Sequence, residues 1–242
     1  MSYGGNPYES PRFTLAATAA ANERADFITK TYLHLAGAVG LFAVLEAVLL
    51  NLPGVESMVG LMVVSRYGWL IVLGLFMGVS YIADRWALTA TDPTLQYAGL
   101  GLYVVAQALI FVPLLYIARD MDRQMGTHII LSAAVATAGL FAALTLAVFL
   151  TRQDFSFLRT GLVFGGIAAL GLIVVSILFG FTLGPIFTYV MIAFACLYIL
   201  YDTSNVLHHY RIGQHVAAAL ALFAAVALLF WYILRLFMSR RN

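Results

Sequence analysis

Seven apolar stretches, each near the length of about 20 residues that a helix needs to cross about 30 Å of hydrocarbon, follow one another along this 242-residue chain. They run Thr31–Leu50, Trp69–Ala87, Leu95–Ala118, Thr127–Leu150, Thr160–Phe181, Pro185–Asn205 and Val216–Phe237. In lipid every backbone N–H and C=O must find its partner inside its own segment, so each stretch is read as a helix. Composition agrees: 63% of residues are hydrophobic, 10% are charged and the mean hydropathy is +0.95, whereas a soluble domain is roughly half apolar and a quarter charged. The chain is an all-α integral membrane protein whose first partner is the lipid bilayer. Its formal net charge of +2 is spread over short loops and tails, with no basic block to imply nucleic acid.

Residues 1–26 hold Pro, Gly, Asn and charges but no long apolar core, so they read as a flexible polar tail rather than a signal peptide. Residues 27–242 form one membrane domain. The breaks, such as NLPGVES, TATDP, RDMDRQMG and HHYRIGQ, are too short for further domains. Gly74/Gly78 and Gly161/Gly165 have the spacing that lets helix backbones approach. Pro113 falls inside the third span and is expected to kink it or free a carbonyl. Cys196 reads as a packing thiol. Lys and Arg divide almost evenly between the two membrane sides, seven against six, so charge assigns no orientation.

Ionisable groups within spans are costly and mark candidate sites. Asp202 lies near the end of the sixth span, with Tyr198, Asn205 and His209 at helical offsets along one face. Glu46 sits near the end of the first span, His34 near its start and Gln107 midway through the third. The first and sixth helices run in opposite directions, which puts Glu46 and Asp202 near opposite membrane faces. Arg85, at the end of the second span and on the same side as Asp202, is the expected counter-ion, because a fixed bidentate cation suits a half-buried carboxylate. The bland readings compete. Asp202 is otherwise an interfacial residue whose carboxylate reaches the headgroups, and for Glu46 that interfacial reading is the stronger one.

Enzyme signatures are scarce: there is no Gly-x-Ser-x-Gly elbow, His-Glu-x-x-His helix or phosphate-binding Gly loop. Ser132 and Ser176 have no evident His at matched depth. No enzyme is expected. His208, His209 and His215 lack neighbouring thiols or acids in sequence, so a solvated, pH-sensitive loop is preferred over a metal site.

The segments RADFITKTYLHLAGAVGLFAVLEA, YVVAQALIFVPLLYIA, DFSFLRTGLVFGG and above all YILYDTSNVLHHY resemble the Bax inhibitor-1/YccA family, the transmembrane BAX inhibitor motif proteins. The resemblance covers nearly the whole chain after residue 25, and Tyr201-Asp202-Thr203 is its most specific part. It implies six helices wrapped around a central C-terminal helix. In members described as pH-sensitive calcium leak channels, an Asp matching Asp202 faces a second Asp in the last helix, and an Arg matching Arg85 contributes to the same gate.

Aligning Leu234-Arg235 with the family's Leu-Arg end puts Ala225 where the second Asp would stand. Two close carboxylates share a proton and titrate as a pair, and that pair is missing here. Calcium, if it is the transported ion, would find in Asp202 and Asn205 fewer charges than a hard cation prefers. No other cofactor is implied. The bacterial YccA-like members resemble this chain in lacking the second Asp. They imply the leading role, an integral regulator in the cell inner membrane that modulates the membrane-bound AAA protease FtsH by contact, with the pH-sensitive calcium leak as the alternative.

Overall fold

The computed structural model describes residues 14–64, 66–89 and 92–240. Among these described residues eight helices follow in order: α1 (Ala21–Leu49), α2 (Val55–Val64), α3 (Arg66–Ala87), α4 (Pro93–Met125), α5 (Ile129–Thr151), α6 (Leu158–Phe179), α7 (Gly184–His208) and α8 (His215–Ser239). All but α2 are long and apolar enough to cross a membrane, seven in all. The expected all-α architecture is present. Of the polar tail, residues 1–13 lie outside the described residues.

The helix bounds differ from the apolar spans where helix continues beyond lipid. α1 starts at Ala21 rather than Thr31, because its first turns hold the helix formers Ala21, Glu23, Arg24 and Ala25 and are tied by an Asp26–Lys30 pair at 2.7 Å, the i,i+4 spacing that suits a water-exposed helix. α4 has 33 residues, about 50 Å at 1.5 Å per residue. It therefore outruns the hydrocarbon and carries Arg119, Asp120, Asp122 and Arg123 beyond it. It runs through Pro113 without interruption. Asp122 then turns back to α5, where its Oδ1 accepts from the N–H of Ile129 at 2.6 Å and from Thr127 Oγ1 at 2.8 Å, a carboxylate placed on a helix N-terminus. α2, which starts in the break NLPGVES and runs on through residues assigned to no span, is ten residues long, about 15 Å and too short to span.

α8 is the centre of the bundle. It packs against α1, α3, α4, α5 and α7, while α6 rests on α7 and α3, and α2 on α3 and α4. Val216 to Leu220 are all buried, and five consecutive buried residues take in every face of a helix. The run of Ala at 217–219 makes this possible, since small side chains let neighbours close in from all sides. At the other end of α8, Trp231 stacks on Trp69 at 6.2 Å and meets Phe111 edge-on at 4.9 Å.

The closest backbone approach is not at the expected glycine pairs. A Cβ on Gly74, Gly78 or Gly161 would meet nothing within 4 Å; these face outward, and only Gly165 packs, against Phe194. Gly99 of α4 is the tight one, its absent Cβ falling 2.6 Å from the Ala83 carbonyl and 2.8 Å from the Ala87 nitrogen of α3.

Three helices end in a left-handed residue whose N–H bonds back into the last turn: Gly126 after α4, Gly180 after α6 and Arg152 after α5. Glycine takes that conformation freely. Arg152, at φ 51°, does so at a cost of about 1–2 kcal/mol. At the same membrane end, residues 14–16 lie antiparallel to residues 210–212. The Ala16 N–H donates to the Tyr210 carbonyl at 2.9 Å and the Ile212 N–H to the Thr14 carbonyl at 2.9 Å.

Candidate functional site

Asp202 sits on the buried face of α7 with Met191, Ala195, Ile199 and Val206, at 7% exposure. It does not reach out to headgroups as an interfacial residue would. Instead it lies within electrostatic reach of the hydroxyls of Tyr103 on α4, Tyr198 on α7 and Tyr210 in the α7–α8 turn. Asp84, near the end of α3 and itself exposed, acts on Tyr103 and Tyr210 as well. Two carboxylates and two tyrosines from four segments thus share one end of the bundle. For Tyr210, burial and then the Asp202 and Asp84 carboxylates and Tyr201 hold the phenol proton well above the ordinary tyrosine range.

Arg85 is not the partner of Asp202. Its guanidinium donates to the Tyr81 hydroxyl, at 3.0 Å from Nη2 and 3.2 Å from Nε, and lies 5.2 Å from the centre of that ring. The reason is rotation. Arg85 stands two residues from Ala83 and from Ala87, the buried positions of α3, so it is turned about 200° away from the packed face.

The stripe Tyr198, Asp202, Asn205 and His209 is likewise divided by the structure. Tyr198 turns to α6, its hydroxyl 3.5 Å from the Leu162 carbonyl. The Asn205 carbonyl accepts the N–H groups of His209 and Tyr210 and ends the helix. His209 leaves the helix and meets Asp154 of the α5–α6 loop, with Nε2 at 3.0 Å. Ser204 Oγ accepts the Phe155 N–H at 2.9 Å, which completes a latch between that loop and α7. Burial is the largest single influence on the Asp154 carboxyl and raises its pKa. The Ser156 N–H and hydroxyl together with His209 outweigh it and hold the carboxyl down at about 2. The remaining histidines go elsewhere. His208 Nδ1 lies 3.0 Å from the Ser204 carbonyl, and the His215 ring lies tilted at 57° to that of His34 with centres 4.9 Å apart.

Glu46 is at the opposite end from Asp202, as the helix directions require: the following Leu50 carbonyl accepts from Arg119 at the far end of α4. The interfacial reading of Glu46 does not hold. It is 5% exposed, and both carboxyl oxygens are buried with no hydrogen-bond partner among the described residues.

From that same end a cavity of about 420 Å³ enters between α3, α4, α6 and α8. Trp69, Phe181 and Arg235 lie at its outer end, Gln107 lies on its wall, and Tyr103 and Ala224 mark its inner limit. Gln107 presents a buried Oε1 that takes no hydrogen bond from the described residues, a polar group among mostly apolar lining residues. Tyr103 therefore stands between the cavity on one side and the carboxylates of Asp84 and Asp202 on the other. Sequence reasoning did not single out Tyr103 or Asp154. A tyrosine in an apolar helix carries no signal of its own, and Asp154 is one acid in a polar loop.

Comparison with known proteins gives a consistent result. Residues 24–242 match the family described as inhibitor of apoptosis-promoting Bax1. Bax inhibitor 1 of Schizosaccharomyces pombe is 34% identical over 122 residues, covering 48% of this chain and 44% of that protein. The Golgi anti-apoptotic protein of Vaccinia virus (strain Lister) is 32% identical over 114 residues, 45% of this chain and 46% of the viral one. In each case the match spans about half the length of the relative.

Proposed function

The chain belongs to the Bax inhibitor family, and from that premise we propose that it is a multi-pass membrane protein with a closed cation-leak pathway gated at Tyr103. The observation that supports this is the cavity ending at Tyr103, with Asp84 and Asp202 beyond it. A cation entering the cavity would meet no carboxylate until the Tyr103 ring moves. Arg235 at the outer end opposes cation entry in this closed form, so opening has to displace both. Calcium is the ion to test first. Gln107 supplies one neutral oxygen on the way and Asp202 the charge at the end.

A second reading follows from the same wall. Asp202 lies outside the cavity lining, which suits a protein that acts by contact. The relatives' names, Bax inhibitor 1 and Golgi anti-apoptotic protein, describe inhibition of cell death. In this reading the chain sits in a cell inner membrane and modulates an FtsH-like protease.

Calcium flux into proteoliposomes across pH 5 to 8 separates the two. The leak reading expects a wild-type flux that increases in Tyr103→Ala and is lost in Asp202→Ala, with Ala225→Asp restoring a paired-carboxylate pH response. No flux in wild type or in Tyr103→Ala, alongside a change in protease turnover when the chain is deleted, would overturn the leak and leave the contact reading.

A further inference from the structure

At the end of the bundle that holds Asp202, a second cavity of about 430 Å³ is framed by the start of α1, the end of α5 and the end of α7. Two arginines from separate segments line it, Arg24 and Arg152, together with apolar Ile28, Phe149 and Leu207. Neither arginine is in an ion pair among the described residues, where the pairs are Lys30–Asp26 and His209–Asp154. Among the described residues no carboxylate lines the space. Glu23 in the first turn of α1 is the nearest acid in sequence, and Asp26 is already held by Lys30.

Two further features favour an anion here. The N-terminus of α1, whose Ala21 borders the cavity, has no side-chain cap among the described residues, and such a terminus attracts negative charge. Arg152 holds a left-handed backbone at the position where α4 and α6 use Gly126 and Gly180. A strained arginine kept where glycine is easier is explained if its side chain is needed. The cavity lies at the ends of three spans, the depth of lipid headgroups, and its inner wall is apolar.

We propose that this groove binds one anionic phospholipid, its phosphate between Arg24 and Arg152 and the head of an acyl chain against Ile28, Phe149 and Leu207. The polar cavity at the opposite end is different in kind. There Arg119 and Arg123 share the lining with Glu56 and Asp120, and Arg119 is already committed to the Leu50 carbonyl and Asn51.

The test is thermal unfolding of the detergent-purified full chain titrated with phosphatidylglycerol, phosphatidylcholine or inorganic phosphate. Phosphatidylglycerol is expected to raise the midpoint of the wild type well beyond the other two. In the double variant Arg24→Gln/Arg152→Gly its affinity should fall roughly thirtyfold, as loss of two basic contacts to an anionic lipid implies. Arg152→Gly alone relaxes the backbone, so without lipid it should unfold no earlier than the wild type while still losing lipid response. A merely structural arginine would not separate the two effects. Arg159→Gln, at the same membrane end but outside the groove, should respond as wild type. Equal shifts from both lipids, an undiminished response in the double variant, or reproduction of the shift by phosphate alone would each overturn the proposal.

Discussion

α6 and α8 are both apolar from end to end, yet they occupy opposite places in the molecule. In their most apolar stretches 67% of α8 residues are buried, against 6% for α6. Hydrophobicity does not separate them, because lipid is as apolar as a protein core and rewards neither position. The number of small residues does not either, since α6 holds Gly161, Gly165, Gly166, Ala168, Ala169 and Gly171; which way they face does. α8 brings Ala217, Ala218, Ala219, Ala225 and Ala227 to the interior, whereas α6 turns Phe164, Ile167, Leu172 and Phe179 to the outside. Inside a membrane the packed helix is the one whose neighbours can come close.

The largest way to break that contrast is to enlarge the centre. Ala219→Leu in α8, a fully buried site, is expected to destabilise by about 3 kcal/mol through overpacking, whereas Leu172→Ala in α6, 49% exposed, should stay within about 0.5 kcal/mol. Reversible unfolding in mixed micelles measures both, and equal losses would show that α6 is packed by something outside this chain. The contrast between glycines is the next in size. Gly99→Ala pushes a methyl onto the α3 backbone and should cost about 2 kcal/mol. Gly78→Ala, facing open space, should be neutral or gain about 0.5–1 kcal/mol as a better helix former.

The smallest expected effect lies outside the packed helices altogether, at the loop latch. The pKa of Asp154 is lowered in the folded chain to about 2 from its ordinary 3.8. Its contribution is therefore complete above about pH 4 and is lost as pH falls through about 2, the sign required when the unfolded state binds the proton more readily. Asp154→Asn should abolish this acid-dependent part and leave stability at pH 7 only slightly lower, because the pair is half exposed. Unfolding midpoints of the two proteins between pH 2 and pH 7 check it.

The seven spans were legible because a run of apolar residues is a local signal that lipid makes obligatory. α2 was not, since ten residues beside a left-handed Gly54 read equally well as a turn. Asp202 was legible as a costly group in an apolar run. Its surroundings were not, because side and depth follow from helix order, whereas the neighbour that meets a residue depends on rotation. Arg85 has the right depth and the wrong rotation, and Tyr103 has both but no polar context to announce it. Gly99 escaped for a similar reason: its partners Ala83 and Ala87 are on another helix, and the visible glycine pairs faced outward.

The place of α8 has a consequence for how the molecule is made. The helix that every neighbour needs is made after all of them, so the preceding spans enter the membrane around a space that stays unfilled until α8 follows. The pairing of residues 14–16 with 210–212 cannot form earlier either, and it joins the first-made part of the fold to the turn that introduces the last. Assembly of the helices is thereby closed in one step, and a chain stopped short of residue 210 has neither its centre nor its clasp.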